Sequence, residues 1–125
     1  MIAGIGIDII DINRIRRVLA NNPSFREKVF SAAEIAYCEA KANPSLSYAV
    51  RFAAKEAFMK ALGSGWNQDV RWVEIETLNL ESGAPELRIS GITAETLARK
   101  QISRIHVSLS HEKDYAVANV ILEQS

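Results

Sequence analysis

The pattern of the chain predicts an α+β fold: an antiparallel sheet packed against one long helix, with shorter helices around it. Three observations carry this. A β-branched run opens the chain and is followed by helical segments rather than by a second strand. One stretch, 43–63, sustains a helical pattern between breakers for far longer than any other. Two later pairs of alternating segments are each joined by a tight turn, as antiparallel hairpins are. At 125 residues the chain suits a single domain, 1–125, with one core.

The elements follow in order. "IAGIGIDII" (2–10) is a strand with isoleucines at 5, 7 and 9 on one face and glycines and Asp8 on the other. Asp11 or Asn13 can cap a helix running to about residue 21, where "NNP" ends it. "SAAE" (31–34) places a glutamate three residues after a serine, a capping box that opens a second helix to about 41. "NPS" (43–45) starts the long third helix, and Gly63 and Gly65 stop it. "RWVEIETLNL" (71–80) alternates as a half-buried strand, "SGAP" turns, and "ELRIS" returns. "TAETLARKQ" (93–101) is a short helix, and residues 104–123 form the closing hairpin.

Fifteen basic and fifteen acidic residues cancel, so bulk charge does not point to nucleic acid, and any charged partner must meet a local patch. "NRIRR" (13–17) with Arg26 and Lys28 is such a patch; it is either a solvated face or a dock for an acidic protein. The single cysteine, Cys38, allows no internal disulfide and reads as a small buried hydrophobe rather than a catalytic thiol. The N-terminal apolar run is too short and too acidic to span a bilayer, so the chain reads as cytoplasmic. Zinc-ligand spacing, a P-loop and GxGxxG are absent from the sequence.

The chemistry is expected in "RFAAKEAFMKALG" (51–63). With Phe52 at zero on a helical wheel, the apolar arc of Leu46, Ala49, Val50, Ala53, Ala57 and Ala61 spans about 60° to 180°. Glu56 falls near 40° and Lys60 near 80°, at the margin of that arc, whereas Arg51 and Lys55 fall on the far, solvent side. A surface Glu→Lys pair at i,i+4 contributes only about 0.3–0.5 kcal/mol. Moving both charges toward an apolar face costs several times more, so such groups usually have a further partner. Asp8 faces the same question, because it either caps the next helix or coordinates an ion. Two carboxylates from different elements suit Mg²⁺, which keeps waters and substrate phosphates as its other ligands. In "IHVSLSH" (105–111), Ile105, Val107 and Leu109 point inward. His106, Ser108 and Ser110 line the other face, as the polar side of a solvated strand or as donors to phosphate oxygens.

Three segments carry a resemblance that spans essentially the whole chain: "GIGIDIIDINRI", "RFAAKEAFMKALGSG" and "HVSLSHEKDYAVANVI". The sequence resembles the holo-acyl-carrier-protein synthases, the small single-domain class of 4′-phosphopantetheinyl transferases. The resemblance implies Mg²⁺-dependent transfer of phosphopantetheine from coenzyme A to a serine of acyl carrier protein, in support of fatty acid biosynthesis, with adenosine 3′,5′-bisphosphate leaving. It implies Asp8 and Glu56 as Mg²⁺ ligands and Lys60 beside the pyrophosphate. Arg51, His106 and Ser108 become coenzyme A contacts, and Arg14 and Arg17 the carrier-protein contacts. It also implies a homotrimer with interfacial active sites, which permits Arg51, far from Glu56 on the wheel, to serve the site of a neighbouring subunit. Related sequences often read Gly-Lys-Pro where this chain has Gly83-Ala84-Pro85, which removes a charge near the adenine end. Glu56 could take the serine proton directly or through a water, although a metal-bound carboxylate is a poor base, and the sequence leaves the general base open. Two other classes use the same residues: a non-catalytic carrier or coenzyme A binding module, and a Mg²⁺-dependent nucleotide hydrolase.

Overall fold

Ten residues of alternating burial, Ile2–Asp11, form strand β1. In the computed structural model, which describes residues 1–65 and 67–125, this strand leads directly into α1, Ile12–Asn21. The order continues α2 (Phe25–Val29), α3 (Ala32–Glu39), α4 (Pro44–Leu62), a 3₁₀ turn (Trp72–Glu74), β2 (Ile75–Asn79), β3 (Pro85–Ile89), α5 (Gly91–Arg99), β4 (Ile102–Glu112) and β5 (Tyr115–Gln124). The expected α+β class holds, with a refinement. The strands form two antiparallel sheets, β1-β5-β4 and β2-β3, rather than one.

The predicted boundaries hold where side-chain chemistry marks them. Ser31 and Glu34 make both halves of the capping box at α3. Asn43 caps α4, Pro44 occupies its first turn, and Gly63 ends it at φ +82. Two predictions fail for local reasons. The five-residue α2 was hidden behind the breakers of "NNPS", and no side chain caps it. Residues 72–74, read as strand from alternation, are a 3₁₀ turn, so β2 begins only at Ile75.

Helix α4 is the centre of the molecule. Its small residues Ala53, Ala57 and Ala61 are buried, as are Ala116, Ala118 and Val120 of β5. Alanines bury little area each, so the apolar stabilisation comes mainly from Phe30, Tyr48, Phe58, Ile75 and Leu122, all nearly inaccessible. Each large side chain of this kind contributes about 1.5–3 kcal/mol. The expectation of a solvent side for α4 is wrong. Arg51 is 5% exposed and Lys55 0%, because α3 and β2 pack over that side of the helix. A single wheel records which residues share a face, and it cannot record how many faces are covered.

The three-stranded sheet leaves its outer face bare. The register puts Ile5, Ile7 and Ile9 beside Ile121, Asn119 and Val117, and these beside His106, Ser108 and Ser110. The three β1 isoleucines are 64%, 59% and 63% exposed. Among the described residues, no helix is long and apolar enough to cross a membrane.

Candidate active site

Helix and strand meet here through backbone. A Cβ built on Gly6 would overlap the Ala57 carbonyl oxygen and lie 2.6 Å from the Ala61 nitrogen. One on Gly4 would overlap the Ala61 carbonyl oxygen. Glycine is therefore required at both positions for α4 to lie this close to β1. The glycines that share a strand face with Asp8 set the distance between the two charged segments. Gly6 is two residues from Asp8, and Ala57 follows Glu56.

Asp11 settles one alternative. Its carboxylate caps α1, accepting from the backbone of Asn13 at 2.8 Å and Arg14 at 3.3 Å. Asp8 is thereby free of the capping role. It instead receives Lys60 Nζ at 3.2 Å, and the same ammonium donates to the Ile7 carbonyl at 3.0 Å. The i,i+4 pair that is the alternative reading for Glu56 and Lys60 is not formed as a salt bridge; Lys60 crosses to the strand. Glu56, half-buried, makes no ion pair within 4.0 Å among the described residues. Burial first, and then the Asp8 charge, hold its carboxyl above the ordinary glutamate range, with Lys60 and Arg14 opposing. The crossing of β1 and α4 thus gathers Asp8, Glu56, Lys60 and Arg14 into one electrostatic cluster.

Two carboxylates from different elements, one of which, Glu56, has its proton affinity raised and no ion-pair partner among the described residues, are a fit for a divalent cation. Among the described residues no group of three or more His, Cys, Asp or Glu converges. Two carboxylates suffice for a cation such as Mg²⁺ whose remaining ligands are waters and substrate phosphates. Lys60 is 54% exposed at its side chain, so it can follow an anion bound at the cluster.

Arg51, His106 and Ser108 lie elsewhere in the molecule. Arg51 is about 140° from Glu56 around α4. Its guanidinium stacks 4.2 Å from the Tyr37 ring centroid, and Nη2 donates to Asn79 at 2.8 Å. Arg51 Nε and Thr77 Oγ1 are buried without partners beside a cavity of about 350 Å³ that both residues line. His106 and Ser108 stand on the outer face of the sheet, opposite in facing to Asp8, and His106 contacts Glu123. Arg14 and Arg17 are exposed on α1, as expected. Arg26 is not part of that patch, since it pairs with Glu39 at 3.3 Å and lies over Tyr48.

Sequence reasoning missed an apolar groove. It has a volume of about 640 Å³, and Phe25, Val29, Phe52, Val70 and Trp72 line it, with Lys28 and Arg71 among its rim residues. Phe52 and Trp72 stack with ring centroids 5.3 Å apart, and Phe25 leans on Phe52 at 5.9 Å. Phe52, which lines the groove, is one turn before Glu56 on the same side of α4. The aromatics were legible as hydrophobes, but the short α2 that brings Phe25 to Phe52 was not.

This geometry has close counterparts. The 4′-phosphopantetheinyl transferase superfamily matches residues 4–120. The chain belongs to that superfamily. A holo-[acyl-carrier-protein] synthase of Syntrophus aciditrophicus is 46% identical over 124 residues, covering 98% of this chain and 97% of the relative. The crystal structure of the Neisseria meningitidis holo-[acyl-carrier-protein] synthase superposes with a TM-score of 0.92 at 34% identity, covering 99% of this chain and 100% of that one. A Bacillus anthracis counterpart in complex with CoA (3′,5′-ADP) matches with a TM-score of 0.84 at 38% identity, over 100% and 99% of the two chains. The chain is accordingly an enzyme of the phosphopantetheinyl transferase class, and its α+β architecture is that of these relatives.

Proposed function

We propose that this protein transfers 4′-phosphopantetheine from coenzyme A to a serine of apo-acyl carrier protein, and so supports fatty acid biosynthesis. The observation that carries the reading is the Asp8–Glu56–Lys60 cluster, held at the β1–α4 crossing by Gly4 and Gly6. Full-length similarity to synthases that act on acyl carrier protein and bind coenzyme A supports it.

Asp8 and Glu56 are the residues that would hold Mg²⁺, which when bound supplies positive charge to the pyrophosphate. Lys60 stabilises the negative charge that grows on the departing phosphate as the serine oxygen attacks in line. The new bond is serine oxygen to phosphorus. The broken bond is phosphorus to the bridging oxygen, which leaves on adenosine 3′,5′-bisphosphate. The serine proton passes to Glu56 directly or through a water; with the cation bound, that carboxylate is a weaker base than in the metal-free fold.

The carrier is placed by α1 and the groove. Exposed Arg14 and Arg17 steer an acidic protein, and the groove between α2 and α4 takes an apolar side of it, with Lys28 and Arg71 meeting acidic neighbours. The bare outer sheet face supports a homotrimer. Exposed Ile5, Ile7 and Ile9 in a row form an apolar patch of the kind copies bury against each other. His106 and Ser108 share that face, so a neighbouring copy would bring them, and Arg51 beside its open cavity, to another protomer's charge cluster as coenzyme A phosphate contacts. The lone buried Cys38, its thiol pushed up to about 11 by burial, is unreactive and compatible with a cytoplasmic location.

The test is intact-mass spectrometry of apo carrier protein incubated with this protein, coenzyme A and Mg²⁺, with and without EDTA. The expected result is a gain of one phosphopantetheine group that chelator prevents. Carrier binding without nucleotide release would identify a binding module instead, and cleavage of coenzyme A without carrier would identify a hydrolase.

A further inference from the structure

Lys55 precedes Glu56 in the chain but has no part in the charge cluster. Its side chain is fully buried, and the ammonium donates to Glu34 Oε1 at 2.8 Å, to the Trp72 carbonyl at 2.8 Å and to the Ile75 carbonyl at 2.5 Å. An ammonium has three protons, and all three are used. Glu34 is equally committed. Its Oε1 also accepts from the Ser31 backbone at 3.1 Å, and its Oε2 from the Thr77 backbone at 3.2 Å. Nothing in this pair is left for a ligand, so it is not a second site.

Fold stability is a poor account of the pair. Burying two charges costs several kcal/mol, and apolar residues of similar size often replace such a pair without loss. Burial indeed pushes the Lys55 ammonium below its ordinary range, against the pull of Glu34. What Lys55 does that a leucine or methionine cannot is hold two backbone carbonyls at the ends of the 72–75 segment. The segment is the 3₁₀ turn Trp72–Glu74, with no side-chain cap, followed by the first residue of β2, and such turns have little stability of their own. Glu74 ties its far end to α5, accepting from Ile92 and Thr93 through its carboxylate and from Ser90 through its carbonyl, and Lys55 holds the Trp72 end. The turn's first residue, Trp72, supplies the ring that stacks on Phe52 and walls the groove.

We propose that Lys55, held by Glu34, is a positioning residue for carrier docking: its ammonium anchors the Trp72–Ile75 turn to α4 and so sets the wall of the apolar groove. This rests on the carrier reading of the groove given above. It predicts a selective defect, in which carrier binding suffers while coenzyme A binding and chemistry do not.

The experiment uses the full chain with Trp66→Phe, which leaves Trp72 as the only tryptophan. Into it goes the pair Lys55→Met with Glu34→Gln, which removes both charges and leaves neither unpaired. The Trp72 emission and its quenching by acrylamide are read alongside steady-state kinetics. The expected result is increased quenching, a KM for carrier protein raised about fivefold or more, and kcat and the KM for coenzyme A within twofold of the parent. Unchanged quenching overturns the proposal, because the turn then stands without Lys55. Changed quenching with an unchanged carrier KM overturns it too, because the wall then does not serve docking. An equal loss in kcat and both KM values marks a merely structural pair. Trp72→Ala, which leaves every buried charge in place, must reproduce the carrier-specific rise even if the double variant does not fold; an unchanged KM there also overturns the proposal. Failure of the transferase reading itself is recognised separately, as no product from the Trp66→Phe parent.

Discussion

Lys55 and Glu56 are neighbours on one helix, both charged and both withdrawn from water to some degree, yet they live in opposite circumstances. Lys55 has every proton accepted, and its partner Glu34 binds two backbone amides as well. Glu56 has a like charge nearby, no ion-pair partner among the described residues and a carboxyl held above its ordinary range. A saturated buried charge specifies structure. An unsaturated one stores an affinity that something else must satisfy.

The sharpest way to break this contrast is to remove each member. Glu56→Ala should lower kcat by about a thousandfold or more, with no loss of thermal stability. Near-normal turnover in that variant would take Glu56 out of the chemistry. Lys55→Met alone should do the reverse in kind, costing about 3–5 kcal/mol in denaturant unfolding because Glu34 is left buried and unpaired. A cost below about 1 kcal/mol would mean the pair is not buried as described.

Arg14→Glu tests the surface between these extremes. It should raise the KM for carrier protein about tenfold at low salt and less at high salt, while the KM for coenzyme A stays put. A salt-independent effect would argue against steering by α1. The smallest effect expected is also the most discriminating. Glu56→Gln should raise the melting temperature of the metal-free protein at neutral pH by about 2 °C. The sign follows from linkage: a carboxyl whose folded pKa is raised binds its proton more tightly when folded, so it favours folding below that pKa and loses this as pH rises through it. The amide cannot ionise and escapes the loss. Divalent-cation affinity of the parent should conversely fall as pH drops through the raised value, sooner than for a free glutamate. A lower melting temperature for Glu56→Gln would mean the carboxylate is satisfied in the resting fold.

The cluster was largely legible in the sequence because its members were anomalies: Asp8 in an apolar strand, and Glu56 and Lys60 at the edge of an alanine face. Helix ends were legible wherever a side chain made the cap, as Ser31, Glu34, Asn43 and Gly63 did. Lys55 and Arg51 were misplaced because burial depends on what covers a helix, and α3 and β2 arrive from 12 or more residues away. The groove was invisible for the same reason, since its walls come from α2, α4 and the 72–75 turn. The 3₁₀ turn was hidden by alternation that a strand and an irregular segment can share.

The bare contact of Gly4 and Gly6 with α4 has a consequence for how this protein can change. Most spacings in a core are elastic, because a larger residue here can be offset by a smaller one there. Where main chain rests on main chain there is no side chain to trade, and the separation becomes a hard stop. That stop fixes the gap across which Asp8 faces Glu56. The two glycines act as a gauge block for the site, and the rest of the core is machined to fit.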